Sequence, residues 1–122
     1  MSKKNIEKHI PKAIKVLERT FENGVIPSAY NGYISSFGAS VIQSGLKPTL
    51  ALFENTDANT KEDKSYLTKI ILQILDQDTQ ESSLLKYILP KQKNEAYLKQ
   101  QILDIAVAVK LSIRTFKLKK GE

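Results

Sequence analysis

The chain has 122 residues, 41% of them apolar, no cysteine and a formal net charge of +6. That size gives one domain with one core, and the missing thiols exclude a disulfide framework, a cysteine-ligated zinc site and a thiol nucleophile. The N-terminal "MSKKNIEKHIPK" has no signal-peptide apolar region, and no apolar run approaches the ~18 residues of a bilayer span, so a soluble, cytoplasmic protein is expected.

Between residues 5 and 21, Ile6, Ile10, Ile14, Leu17 and Phe21 recur at helical spacing. Pro11 either kinks this helix or lies in the first turn of one starting near His9. Gly24 supplies a left-handed stop. From 28 to 44, Ser28 is the expected N-cap and Tyr30, Tyr33, Ile34, Phe37, Val41 and Ile42 form the stripe, with Gly45 ending the helix. A short helix over 47–54 restarts at once, with Pro48 at its first position. Leu50, Ala51, Leu52 and Phe53 mark it as buried.

Residues 55–64 are polar and aperiodic, a loop. Tyr66, Leu67, Ile70, Ile71, Ile74 and Leu75 make 61–77 amphipathic. A short helix over 80–89 is stopped by Pro90. The longest segment, 94–118, carries Leu98, Ile102, Ile105, Val109, Ile113 and Phe116 as its seam. No stretch alternates at period two. The expected fold is all-α, a compact single-domain bundle of about six helices spanning 1–122.

Chemistry-bearing patterns are few. His9 is the one histidine and has no second histidine or cysteine with which to share a metal. "DANTKED" echoes a calcium loop but lacks glycine at the sixth place and has Thr68 at the twelfth. No phosphate-cradling glycine loop occurs, Ser35, Ser36, Ser40 and Ser44 have no base beside them, and the carboxylates are scattered. No enzyme, metal or cofactor is expected.

The charge is unevenly spread. Residues 1–19 carry +4, residues 110–122 carry +4, and the intervening chain carries −2. Lys8, Lys12, Lys15 and Arg19 fall at i, i+4, i+7 and i+11, within about 60° of one helix face. Lys110, Arg114 and Lys117 repeat the spacing near the other end. A solvated face ordinarily mixes signs, yet Glu18 is the lone acid among residues 8–19. Such ridges suit a phosphate backbone, without reading bases.

Three glycines interrupt the 28–55 stretch, although each interior glycine costs a helix roughly 0.5–1 kcal/mol relative to alanine. Gly32, Ser35, Gly38 and Ala39 strip bulk from one helix, which predicts close approach of a neighbouring helix, within the chain in the first instance or from another copy. Tyr30, Gly32, Ser35, Ser36 and Gly38, followed by Ser44, Gly45, Leu46, Pro48, Thr49, Leu50, Ala51 and Phe53, resemble the signature of the small subunit of type III-B CRISPR effector complexes, the Cmr small subunit. Arg114 beside Phe116 resembles the family's closing helix, and the likeness covers nearly the whole chain.

The resemblance implies a non-catalytic helical protein in antiviral defence. Several copies would stack beside a guide RNA–target RNA duplex, next to the backbone subunit and the large polymerase-like subunit. The basic ridges would then be its RNA contacts. Two other readings stand beside it. One is a repressor-like DNA-binding domain, because "IQSGLKPTLALFE" imitates a helix-turn-helix, although its second helix is too apolar to read a groove. The other is a protein-interaction adaptor that touches no nucleic acid.

Overall fold

A computed structural model describes residues 3–55 and 64–119, the side chains of 92 and 93 excepted. Six α-helices carry the fold: α1 (Lys3–Thr20), α2 (Ala29–Ser44), α3 (Leu46–Phe53), α4 (Ser65–Leu75), α5 (Leu84–Ile88) and α6 (Glu95–Ile113). The expected all-α bundle is present, with one addition. Val25–Pro27 (β1) and Lys117–Lys119 (β2) form a two-stranded parallel sheet in which Ile26 faces Leu118. Most of the 55–64 loop, including the calcium-like pattern, lies outside the described residues.

The helix read over 94–118 therefore ends five residues early. The Thr115 side chain donates to the Ser112 carbonyl at 2.7 Å, and Thr115 and Phe116 make tight i→i+3 backbone turns. The chain then extends so that Leu118 turns inward between two exposed lysines. The Ser28 N–H continues the pairing by donating to the Lys119 carbonyl at 2.8 Å. β1 follows α1 and β2 follows α6 across short turns, so their parallel pairing gathers the C-terminal ends of α1 and α6 at one end of the molecule.

α1 runs unbroken from Lys3 through Pro11, which sits exposed on its outer side. The helix thus starts before His9, and Pro11 forfeits only the N–H that would have met the Glu7 carbonyl. Its fully buried residues are Ala13, Val16 and Leu17, while Ile6, Ile10 and Ile14 are half-buried. Among the described residues, α1 packs most extensively against α6.

Gly24 and Gly45 are the two described residues with positive φ, 73° and 98°. Gly24 closes the turn after α1, as its place in the sequence predicts. Gly45 donates to the Val41 carbonyl at 3.0 Å and lets α3 begin at the next residue. Pro48 is the third helical position rather than the first, where its absent N–H is still one of the unpaired first four. Ser28 precedes α2 but makes no side-chain cap; its carbonyl accepts from the Asn31 N–H instead. The Ser40 and Thr49 hydroxyls share a hydrogen bond at 2.7 Å and fix α3 against α2.

Glu54 pins α5. One carboxylate oxygen accepts from the Ser83 hydroxyl at 2.5 Å and the other from the Leu85 N–H at 3.1 Å. The Ser83 oxygen itself accepts from the Lys86 N–H, closing the cap. As expected, α5 stops just before Pro90, although it starts at Leu84 rather than at 80; a 3₁₀ stretch over Leu89–Asn94, broken at Lys91 (φ −107°, ψ 36°), then leads to α6.

The buried side chains form one cluster fed by all six helices and by Ile26 of β1. Phe37 of α2 meets Phe53 of α3 edge-on at 5.3 Å, and Tyr30 meets Phe21 at 5.5 Å. Three residues read as buried are instead on the surface: Ile42, Leu52 and Tyr66 are 65%, 53% and 46% exposed. Ala51 is exposed as well.

The outer face of α2 overturns the expected use of its glycines within the chain. A Cβ placed on Gly32 or Gly38 would meet nothing within 4 Å among the described residues. Gly32, Ser35, Ser36 and Ala39 point to solvent. Gly32→Ala and Gly38→Ala each then raise the stability of the isolated chain by about 0.5–1 kcal/mol. Differential scanning calorimetry should place the double variant several degrees higher; a fall in melting temperature would mean that the glycines are held by contacts within the chain.

Candidate nucleic-acid interface

Amphipathic helix α1 buries Ala13, Val16 and Leu17, and this leaves Lys8, Lys12, Lys15 and Arg19 exposed on the opposite arc. None of the four is in an ion pair among the described residues; the pairs there are Lys3–Glu7 at 4.0 Å and Lys47–Glu95 at 3.3 Å. Four like charges within 60° of arc therefore stand without local neutralisation. Arg19 lies in the last turn of α1, where the helix dipole favours a cation.

The second ridge is built differently from the one the spacing predicts. Lys110 is half-buried in the last turn of α6, and Arg114 is exposed at the residue that ends that helix. Lys117 is not helical at all: it lies on β2, exposed like Lys119 two residues on. The spacing of a single helix face is thus broken after Arg114, because the chain leaves the helix at Ile113. What remains is a basic group of α6 and β2 residues at the end of the molecule where α1 also ends.

Lys12, Lys15 and Arg19 border a groove of about 390 Å³ between α1 and the end of α4. Val16 contributes apolar surface, Glu18 is the lone acid in the lining, and Gln73 and Gln77 form the opposite wall. Lys8, Lys110, Arg114 and Lys117 do not line it. A second cavity of about 350 Å³ continues from Arg19, Gln73 and Gln77 past Lys69 to Asp76, Glu81 and Ser82. The charge along the trough therefore changes from basic beside α1 to mixed beside the 76–82 segment. Gln73 on α4 and Gln77 in the turn that follows it escaped the reading by charge because glutamine is neutral.

His9 is half-buried near both Lys8 and the buried Asp104. Burial holds its imidazole below the ordinary histidine range, with the Lys8 charge acting the same way, Asp104 opposing and Lys12 adding a little. Asp104 accepts from the Gln100 side-chain amide at 3.1 Å. No group of three potential metal ligands occurs among the described residues. No described helix is long and apolar enough to cross a membrane.

The family model for CRISPR-associated protein (Cas_Cmr5) matches residues 3–111. The matched span holds the α1 stripe, the glycine face of α2 and Lys110, and stops before Arg114 and Lys117. No curated protein and no solved structure matches the chain.

Proposed function

This chain belongs to the CRISPR-associated Cas_Cmr5 family, the small subunits of type III-B Cmr complexes, and on that premise we propose that it is a non-catalytic subunit lying along the guide RNA–target RNA duplex. Several copies stack there, beside the backbone subunit and the large polymerase-like subunit. The observation that carries the RNA contact is the exposed, unneutralised stripe of Lys8, Lys12, Lys15 and Arg19. Lysines and arginine at this spacing follow a phosphate backbone and read no sequence, which suits a complex whose specificity is delegated to base pairing. Lys110, Arg114 and Lys117 supply a second contact. The outward glycine face of α2, which nothing in the chain covers among the described residues, supports the stacking of copies.

The repressor reading loses its recognition helix. α3 turns Leu46, Thr49, Leu50 and Phe53 into the core, and Ala51 and Leu52 are on its surface, with no arginine, asparagine or glutamine to read base edges. The adaptor reading is separated by salt. Four phosphate contacts make the logarithm of the affinity for duplex RNA fall against that of the salt concentration with a slope of about −3. Fluorescence anisotropy between low and physiological salt measures it. A flat dependence or no binding at low salt would favour the adaptor; preference for palindromic DNA would favour the repressor.

A further inference from the structure

Arg19 lines two adjoining depressions that differ in charge. In the groove beside α1, Lys12, Lys15 and Arg19 stand against Glu18 alone. In the trough that continues from it, Arg19 and Lys69 stand against Asp76 and Glu81. A phosphate strand laid on α1 therefore meets an excess of cations up to Arg19 and no excess beyond it. Lys69 is as exposed as the α1 stripe, with its ammonium 5.4 Å from the centre of the Tyr66 ring. Sign and exposure alone would add it to the RNA contact.

The two acids are held in place by the turn that follows α4. Asp76 leaves the helix in an extended conformation. Its Oδ1 accepts from the Asp78 N–H at 3.1 Å, and its Oδ2 accepts from the Tyr87 hydroxyl at 3.0 Å. Glu81 Oε1 accepts from the Ser82 N–H at 3.1 Å, and the Glu81 N–H donates to the Thr79 hydroxyl at 3.2 Å. Neither carboxylate pairs with Arg19 or Lys69 among the described residues, so their charges are not cancelled locally. Residues 76–82 add Asp78 and contain no lysine or arginine. A phosphate entering the trough would come within the screening length of about 8–10 Å of both carboxylates that line it.

We propose that Asp76 and Glu81 form an electrostatic stop, which ends the phosphate path at Arg19 and keeps Lys69 off the RNA. The inference rests on the RNA-contact reading above and sets a boundary to it: the footprint of one copy is confined to the α1 side of the groove. Lys69 becomes a phosphate contact only when the acids across the trough lose their charge.

The test is a salt titration of the full-length chain on duplex RNA, read by fluorescence anisotropy, for four proteins. Lys69→Gln should bind as wild type does, with the same slope. Asp76→Asn/Glu81→Gln should steepen the logarithmic slope by roughly 0.7–0.9, the value of one added phosphate contact, and bind about fivefold more tightly at 0.1 M salt. Adding Lys69→Gln to that double variant should return the wild-type slope, which a general change of net charge would not do. Glu81→Gln alone leaves the Tyr87 bond to Asp76 in place and should steepen the slope in the same direction, so the test stands even if Asp76→Asn disturbs the end of α4. A flatter slope for Lys69→Gln, or an unchanged slope for both acid variants, overturns the stop and leaves the α1 contact standing. A wild type that binds no RNA duplex overturns both.

Discussion

Phe37→Ala should lower the unfolding free energy by about 3–5 kcal/mol, the range for emptying a fully buried phenylalanine site. The ring is completely inaccessible and sits edge-on to Phe53, 5.3 Å between centroids. Its loss removes buried apolar area, leaves a cavity, and breaks an aromatic pair that joins α2 to α3. Collapse into the space is hindered because α3 is already fixed by Gly45 on one side and by the Ser40–Thr49 hydrogen bond on the other. Total stability for such a domain is about 5–15 kcal/mol, so the variant is marginal at physiological temperature. Urea denaturation reads the effect as a lower midpoint at unchanged m. Ile42→Ala is the matched control: it lies on the same helix, was read onto the same apolar stripe, and is 65% exposed. Its expected change is within about 0.5 kcal/mol. Equal effects of the two substitutions would mean that α2 is rotated relative to the core.

The contrast between those two residues explains what was legible in the sequence. α4 and α6 were, because Leu67, Ile70, Ile71 and Ile74, and Leu98, Ile102, Ile105, Val109 and Ile113, leave one arc that can be buried. On α2 the apolar arc is wider than the arc its neighbours cover, and Ile42 lies at its edge. On α1 the isoleucines marked an arc displaced from the buried one, since Ala13 carries little hydrophobic signal yet is fully buried, while Ile6, Ile10 and Ile14 are only half-buried. The sheet was invisible for a different reason. Each strand has three residues, too few for a period of two, and they pair across nearly the full length of the chain. That pairing moved Lys117 off the helix. The charged half of the groove was readable because lysine and arginine announce themselves; that Gln73 and Gln77 face it emerges only once the end of α4 and the turn after it are seen to lie beside α1.

Reversing Lys12, Lys15 and Arg19 to glutamate should abolish most of the association with RNA and leave the fold intact. All three side chains are exposed and outside any ion pair among the described residues, so no burial or pairing is lost. Repulsion along the helix is unchanged in kind, because three neighbouring cations become three neighbouring anions. Only Arg19→Glu opposes the helix dipole, at about 0.3–1 kcal/mol, which the fold tolerates. Each reversal changes the charge by two, and the formal net charge falls from +6 to zero. Three lost phosphate contacts flatten the logarithmic salt dependence by roughly 2–3. Between 50 and 200 mM salt those contacts alone account for roughly a twentyfold to fortyfold change in affinity, a margin that anisotropy resolves easily. High salt should make wild type resemble the variant, whereas Lys15→Ala alone removes one contact of several and shifts affinity only a few-fold. If the triple variant binds RNA and joins the assembled complex as wild type does, the α1 stripe is a solvated face. The contact would then pass to Lys110, Arg114 and Lys117.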